Sequence, residues 1–194
     1  MKALHIIGEE HQSLAAILHA IRFMLKEISA GRLQPDLKLF QAMVHYLEAY
    51  AEKRHHPKED ILFRYLERRT EAGADALMQL AKQHAAAPQR IAALEGALQR
   101  FVADPACFGE FVQAFEVYAD FYRGHMLLEE STVLPLIRTH LTQEDWADVD
   151  QAFVREMESK SGKDGSSEDF SQLFSRLVEC VPAPVGFGPR PYAG

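Results

Sequence analysis

One pattern in the sequence pairs an imidazole with a carboxylate, and it occurs twice. His55 is followed four residues later by Glu59, within HHPKE, and His125 is followed four residues later by Glu129, within HMLLE. In an α-helix, side chains four residues apart are separated by about 40° around the axis and roughly 6 Å along it. Each pair therefore lies on one face of a helix, where imidazole and carboxylate can bind the same metal ion.

Two further histidines are predicted to lie at the same level of the fold. In an antiparallel helical bundle, the C-terminal part of a second or fourth helix lies beside the N-terminal part of a first or third helix. His11 lies early in the first apolar-periodic segment, and His84 lies in the first half of the third. His11 shares the apolar face with Leu14, and His84 shares it with Leu80. The four segments are therefore predicted to build a metal site inside a bundle.

The types of ligand indicate the class of metal. Histidine and glutamate suit iron, zinc or manganese, and the pattern offers no thiolate. Around the second helix, Glu59 lies at about 40° from His55 and His56 lies at about 100°, so that two imidazoles flank the carboxylate. Glutamates from two helices can bridge two cations about 3.5–4 Å apart. The predicted dinuclear site consists of His11, His55, His56, Glu59, His84, His125 and Glu129.

Hydrophobic periodicity predicts the helices that carry these residues. Almost every segment up to residue 158 has the 3.6-residue period, and no window shows the sustained alternation of a strand. Four long helices are predicted, at residues 4–29, 36–66, 77–101 and 104–135. Pro57 is expected to kink the second helix, and the fourth is expected to break near Pro135, because proline cannot donate a helical hydrogen bond.

The short connections between these helices predict an all-α fold, an up-down-up-down four-helix bundle over residues 1–140. Residues 141–194 are predicted to form extra C-terminal helices and an irregular tail, packed on or beside the bundle. A fifth helix is expected to begin at Thr142, where Asp145 stands in the place of the usual glutamate of a capping box. Residues 159–168, SKSGKDGSSE, have the composition of a flexible linker.

The last part of the chain combines an amphipathic helix with an irregular end. The stretch FSQLFSRLVEC has apolar residues at helical spacing, and VPAPVGFGPRPYAG contains four prolines and three glycines. This Pro/Gly-rich tail is expected to be loose or to lie across the bundle or a partner subunit. A homodimer is therefore one expected arrangement.

Composition excludes several classes of function. The 194 residues carry a net charge of −7. This argues against a nucleic-acid-binding surface, because the sequence offers no stripe of Lys and Arg side chains to displace the counterions of a nucleic acid. No apolar run of 18 residues is present, so no membrane-spanning segment is predicted. The two cysteines, Cys107 and Cys180, have no CxxC spacing, and reduced thiols in a cytoplasmic protein are the simplest interpretation.

The order of the candidate ligands resembles that of the hemerythrin-like, or HHE cation-binding, family. HHPKEDILF and HMLLEESTVLP are similar to its two signature segments, and the resemblance covers about residues 4 to 140. It implies a four-helix bundle with a non-haem di-iron centre that reacts with oxygen. Two iron ions are thus the expected cofactor, with zinc or manganese as alternatives. The ligands that the resemblance implies are His11, His55, Glu59, His84, His125 and Glu129.

The sequence departs from the oxygen-carrying hemerythrins at two places. Their third helix has a second histidine one turn after the first, where this chain has Pro88. His56 either supplies the missing imidazole or simply ends a helical segment beside a proline. Their fourth helix uses a carboxylate five residues after its histidine, which would be Glu130 here. Helical geometry favours Glu129 instead, since Glu130 lies about 140° around the axis from His125.

Three functions are compatible with this pattern. The leading prediction is a non-catalytic di-iron protein that binds oxygen or a related diatomic for sensing, storage or delivery. The first alternative is a di-iron enzyme that acts on oxygen, peroxide or nitric oxide. The second is an interaction module in which a structural metal stabilises the bundle. A ferritin-like oxidase is disfavoured, because those bundles use Glu-x-x-His, the reverse order.

Overall fold

Helices dominate the computed structural model, which describes residues 1–161 and 170–189. The helices in chain order are α1 (Lys2–Ser29), α2 (Leu37–Tyr46), α3 (His56–Glu67), α4 (Ala74–Ala103), α5 (Phe108–Leu128), α6 (Leu134–His140), α7 (Gln143–Ser161) and α8 (Phe170–Cys180). Two π-helical segments, Leu47–His55 and Glu129–Val133, join α2 to α3 and α5 to α6. The predicted all-α class is confirmed: within the described ranges the only extended pairing is an isolated bridge between Pro182 and Gly188.

The two π-helical segments lie where the sequence predicted a kink at Pro57 and a break near Pro135. Each segment ends two residues before a proline, which is Pro57 at the start of α3 and Pro135 at the start of α6. A proline lacks the N–H of the α-helical bond and clashes with the carbonyl four residues back, whereas π-helical bonding runs over five residues. The second helix is therefore continuous, with its irregular part ahead of Pro57. The predicted break near Pro135 is wrong, because helix continues to His140.

Several predicted helix ends have the expected caps. The Asp36 side chain accepts a hydrogen bond from the Leu39 N–H at 3.0 Å at the start of α2. At the start of α7, Asp145 accepts from the Thr142 N–H at 2.8 Å, and its own N–H donates to the Thr142 hydroxyl at 3.2 Å. This reciprocal pair is a capping box, with aspartate in the position where glutamate is usual.

The apolar core is divided into two clusters. One lies among α1, α2, α4, α5 and α8, and the other joins the beginning of α1 to α3, α6 and α7. On α1, Leu14 belongs to the first cluster and Ile7 to the second, with the buried His11 between them. Among the described residues, no helix is long and apolar enough to cross a membrane. Each helix instead presents its apolar face to the others.

The C-terminal helices pack on the rest of the chain. α7 contacts α1 and α3, and α8 contacts α2, where Phe170 lies 6.0 Å from Tyr46, ring centre to ring centre. The predicted linker at 159–168 is wrong at its beginning, since residues 159–161 end α7; the remainder lies outside the described residues. Residues 181–189 fold back on the end of α8, and the Phe187 N–H donates to the Val178 carbonyl at 3.0 Å.

The capping box generates a prediction for stability. Asp145→Ala is expected to lower the free energy of unfolding by roughly 1 kcal/mol, because a cap of this kind contributes about that much. Arg69 also donates two hydrogen bonds to Asp145, and solvent screens their contribution because the Arg69 side chain is partly exposed. Urea denaturation at pH 7 measures the change, with the exposed Asp148→Ala as the control on the same helix. Equal costs for the two variants would contradict the assignment.

The same carboxylate predicts a pH dependence. Hydrogen bonds from Arg69 lower the pKa of Asp145 to about 2 from its ordinary value of 3.8. A lowered pKa contributes stability that is present above the unfolded value and is lost as the pH falls toward the folded value. The difference between the wild type and Asp145→Ala is therefore expected to shrink between pH 4 and pH 2.

Candidate metal centre

Five imidazoles and two carboxylates meet between the two hydrophobic clusters. They come from every long helix of the bundle: His11 on α1, His55 at the end of the first π segment, His56 and Glu59 on α3, His84 on α4, His125 on α5, and Glu129 at the start of the second π segment. The side chains of His55 and Glu59 are 0% exposed, and that of His84, the most exposed, is 11% exposed. All seven predicted residues thus lie in one cluster.

Glu59 lies at the centre of this cluster and faces histidines on both sides. Its Oε1 atom is 3.2 Å from His11 Nε2 and 2.8 Å from His55 Nε2. Its Oε2 atom is 3.4 Å from His84 Nε2 and 3.7 Å from His125 Nε2. Each oxygen of one carboxylate therefore serves a different pair of imidazoles, which is the arrangement expected of a bridging ligand.

Glu129 makes a second connection between the same two sides. Its Oε2 atom is 3.2 Å from His11 Nε2, and its Oε1 atom is 3.4 Å from His125 Nε2. Glu129 starts the second π segment one turn after His125, where the sequence predicted a shared face. The two carboxylates together span the cluster.

The imidazoles form two groups around these carboxylates. His11 and His55 have ring centres 4.9 Å apart and, with Glu59, form one set of atoms close enough to share a cation. His56, His84 and His125 form the other set with Glu59. The rings of His56 and His84 are stacked at 4.3 Å. The site therefore has one subsite with two imidazoles and one with three.

Several atoms at the centre have no hydrogen-bond partner. Among the described residues, seven buried side-chain nitrogen or oxygen atoms are unpaired in this way, and six belong to this cluster. They are His55 Nε2, His84 Nε2, His125 Nε2, Glu59 Oε2 and both carboxylate oxygens of Glu129. Leaving such atoms buried and unpaired costs roughly 1–3 kcal/mol each, more if they are charged. Because the unpaired atoms are imidazole nitrogens and carboxylate oxygens facing one another, the donor set fits a pair of cations.

The outer nitrogen of each imidazole faces an oxygen atom. The Nδ1 distances are 2.9 Å from His11 to Glu130, 2.7 Å from His55 to Glu10, 3.2 Å from His56 to Glu52, 2.8 Å from His84 to Asp60 and 2.9 Å from His125 to Gln83. A hydrogen bond donated by Nδ1–H fixes the orientation of the ring and leaves the Nε2 lone pair free to bind a metal. This pattern is typical of histidines that are metal ligands.

Except for Glu130, which the sequence analysis weighed as a ligand, these outer oxygens were missed in the sequence, although four of the five lie next to a predicted ligand. Glu10 precedes His11, Gln83 precedes His84, Asp60 follows Glu59 and Glu130 follows Glu129. Each serves a histidine on a different helix, because a neighbour in sequence is rotated by about 100° and points toward the adjacent helix. A search for polar residues next to each predicted ligand would have found these four residues, but not Glu52.

When no cation is present, the surrounding carboxylates favour the protonated form of His11, His55 and His84. Burial disfavours the charged form of His11, but the facing carboxylates of Glu129 and Glu59 outweigh burial and raise its pKa to about 10. The same balance raises the pKa of His55 to about 9, through Glu59 and Glu10. Burial of His84 is outweighed by Asp60 and Glu59, which raise its pKa to about 10.

The pKa values of the two carboxylates, Glu59 and Glu129, are shifted in opposite directions. Burial raises the pKa of Glu59, but the charge of His55 and a hydrogen bond from His11 outweigh it, so that the pKa lies well below its ordinary value. Burial and the neighbouring charge of Glu59 raise the pKa of Glu129. The site therefore favours the ionised form of Glu59 more than that of Glu129.

A buried ion pair supports the two-imidazole subsite. Lys58 Nζ donates to Glu10 Oε1, the Tyr50 hydroxyl donates to the same oxygen at 3.2 Å, and His55 Nδ1 donates to Glu10 Oε2. His55 and Lys58 outweigh the effect of burial and lower the pKa of Glu10. Glu10 is thus an anion held behind His55, and none of its three contacts was predicted.

Comparison with known proteins agrees with this geometry. The family model of the Hemerythrin HHE cation binding domain matches residues 2–137, a span from α1 to α6 that contains all seven clustered residues. No curated protein and no solved structure matches the chain.

The raised pKa values predict how the metal-free protein responds to alkali. A histidine with a raised pKa contributes stability below its unfolded pKa of 6.5 that is lost as the pH rises through the folded pKa. In the presence of a chelator, the free energy of unfolding is expected to fall steadily between pH 7 and pH 10. Urea denaturation across this range is the measurement.

The Glu59→Gln variant is the control for that experiment. Removing the central negative charge takes away a main reason for the raised pKa values of His11 and His55. The decline with pH should therefore be much smaller in this variant. A wild type whose stability is unchanged from pH 7 to pH 10 would show that the imidazoles are already neutral.

Proposed function

We propose that this chain, which belongs to the hemerythrin HHE cation-binding family, holds two iron ions in its His/Glu cluster and binds oxygen or a related diatomic there. The observation that carries the proposal is that Glu59 and Glu129 each reach both histidine groups, while six buried donor atoms face the centre unpaired. The biological role would be sensing, storage or delivery of the diatomic.

The residues divide into two sets of ligands under this proposal. His11 and His55 would hold one ion, and His56, His84 and His125 would hold the other. Glu59 and Glu129 would contribute one oxygen to each ion, as their distances to the two groups suggest. The first ion would then have four protein donors and the second five. The poorer set, with two imidazoles and carboxylate oxygen, is the donor type that leaves open positions on iron.

Iron in such a site supplies open coordination positions and a reversible one-electron change at each ion. The protein supplies the orientation of the ligands and limits the access of water. The Nδ1 partners keep each Nε2 atom aimed inward. The two hydrophobic clusters on either side limit the access of water, which protects bound diatomics from release as reactive species. Zinc and manganese accept the same donors and are the alternative occupants.

A specific observation favours the enzymatic alternative. The Tyr122 hydroxyl is buried and lies 3.5 Å from His56 Nε2, at the edge of the three-imidazole subsite. Burial, helped by Tyr118 and Glu59, raises the pKa of Tyr122 well above 10, so the phenol keeps its proton and can donate it. Proton donation is what reduction of oxygen or peroxide requires and simple binding does not.

The proposal extends to the arrangement of the chain. The connections α1–α2, α3–α4 and α4–α5 are short, and α4 packs along α5, as an up-down-up-down order requires. Residues 1–140 would form the bundle and residues 141–194 the packed appendage, consistent with a family match that ends at residue 137. The homodimer stays a prediction.

Metal analysis tests the ligand assignment. After anaerobic loading with ferrous iron and removal of excess metal, the chain is expected to hold about two iron ions, the number that two bridging carboxylates support. Glu59→Ala should retain fewer than one ion, because it removes a ligand shared by both subsites. His19→Ala, an exposed histidine on α1, is the matched control and should bind as the wild type does. Equal loading of the two variants would overturn the assignment.

Metal binding is also expected to release protons. His11, His55 and His84 have raised pKa values in the metal-free site, and a nitrogen that binds metal must be deprotonated. At pH 7, loading should therefore release roughly three protons per chain. Calorimetric titration with zinc in buffers of different ionisation enthalpy measures this number. Release of no protons would contradict the charge state assigned to the imidazoles.

Exposure to oxygen separates the functions. The iron-loaded chain is reduced without oxygen, and its absorption spectrum is followed after oxygen is added. A persistent spectrum that reverses under vacuum supports binding, and repeated consumption of oxygen or peroxide supports the enzyme. Iron that binds tightly and never reacts would support the interaction module with a structural metal.

A further inference from the structure

Two buried tyrosines lie on α5, and so far only Tyr122 has been given a role, as a proton donor. Tyr118 and Tyr122 are one helical turn apart and are 1% and 0% exposed. Their rings lie 5.8 Å apart, centre to centre. Phenylalanine would fill the same space without burying a hydroxyl group, and a buried hydroxyl costs free energy unless it has a partner. The hydroxyl positions of these tyrosines therefore need an explanation.

Both hydroxyls face polar groups at the edge of the metal centre. The Tyr122 hydroxyl is 3.5 Å from His56 Nε2, and its ring lies 5.8 Å from that of His125. The Tyr118 hydroxyl points to Glu52 Oε1 at 3.5 Å, and Glu52 Oε2 lies 3.2 Å from His56 Nδ1. Tyr122 thus touches the three-imidazole subsite, while Tyr118 is one ring farther out and has a carboxylate beside its proton.

Tyr118 also reaches toward a surface groove. It is one of the residues that line a groove of about 510 Å³ between α4 and α5. Arg90 lines the same groove, and its Nε atom is buried without a hydrogen-bond partner. The Arg90 guanidinium lies 4.2 Å from the centre of the Phe121 ring, which holds its positive charge at the groove. The groove therefore offers a cationic, partly aromatic site to a small anion.

We propose that Tyr122 and Tyr118 form a one-electron relay from the α4–α5 groove to the metal centre, supplied by a small anionic reductant of the enediol class that binds beside Arg90. This inference rests on the proposed iron site. It adds an activity, since it makes the chain a reductase of oxygen or peroxide at the expense of an external reductant.

The electrons and protons balance in each step. Tyr118 would lose one electron through the Tyr122 ring to the oxidised metal centre, and its O–H proton would move to the Glu52 carboxylate, which would release it toward the peroxide at the metal centre before the next event. The neutral tyrosyl radical then takes one electron and one proton from the reductant, which restores the phenol and leaves the reductant oxidised by one electron. Two such events supply two electrons and two protons, enough to convert one hydrogen peroxide molecule to two water molecules.

Spectroscopy on the full iron-loaded chain tests the relay. Hydrogen peroxide is mixed with the protein, the sample is frozen within milliseconds, and the electron paramagnetic resonance signal of a neutral tyrosyl radical is measured. The wild type should give this signal only when iron is bound. Tyr122→Phe should lower its yield at least tenfold, because the ring between Tyr118 and the metal centre can no longer be oxidised. Tyr46→Phe, a buried tyrosine outside the relay, should keep the wild-type yield.

Quenching of the radical by ascorbate, an enediol monoanion, tests the outer end of the relay at the α4–α5 groove. Ascorbate added after peroxide should remove the wild-type radical. In Tyr118→Phe any radical is confined to Tyr122, and quenching should slow at least tenfold. Arg90→Gln should raise the ascorbate concentration for half-maximal quenching about tenfold while leaving the radical yield unchanged. Circular dichroism and iron content confirm that each variant is folded and loaded.

The outcomes separate this inference from the proposed function. A chain that holds iron but forms no tyrosyl radical overturns the relay and leaves the iron site standing. A radical whose yield is unchanged in Tyr122→Phe, or lost equally in Tyr46→Phe, also overturns it. A chain that holds no iron overturns the proposed function, and the relay falls with it. Unchanged quenching in both Tyr118→Phe and Arg90→Gln overturns the groove as the source of electrons.

Discussion

The burial of two carboxylates among five imidazoles is the constraint on which the rest of this structure depends. Glu59 and Glu129 are 0% and 1% exposed, and a buried carboxylate without a positive partner is strongly destabilising. In the metal-free chain these carboxylates face His11 and His55 and raise the pKa values of both imidazoles. A pair of cations would be that positive partner. The two carboxylates and five imidazoles therefore have to come together as a unit. The two apolar clusters lie on either side of them.

The π-helical segments connect this constraint to the backbone. Both of them lie at the paired motifs: the first ends at His55, and the second begins at Glu129. An extra residue per turn rotates the side chains that follow relative to those before, so ligands on either side of the segment can face one centre. π-helical turns within longer helices occur frequently at functional sites. Each segment precedes a proline, which lacks the N–H that an α-helical hydrogen bond requires.

The sequence was sufficient for those features that repeat along a single helix. Apolar periodicity predicted the long helices, and the four-residue spacing predicted that His125 and Glu129 share a face. Features that depend on two helices at once were not predictable in this way. Glu10 binds His55 across the bundle, although only its neighbour His11 was a predicted ligand. The helix beyond Pro135 was missed for a related reason, because π-helical bonding is a tertiary adjustment that no local propensity encodes.

The partners behind the imidazoles make the two subsites chemically unequal. Behind His55 stands Glu10, an anion neutralised by Lys58 and bonded to Tyr50, which α8 covers through Phe170. This side has fixed charges and no phenol that touches an imidazole among the described contacts. The Tyr122 and Tyr118 rings lie behind the other subsite, and a phenol can give up both a proton and an electron. Because the two-imidazole side has the fewer donors, a diatomic would bind there, while electrons would arrive from the three-imidazole side. The carboxylates shared by both subsites are then what couples binding to reduction.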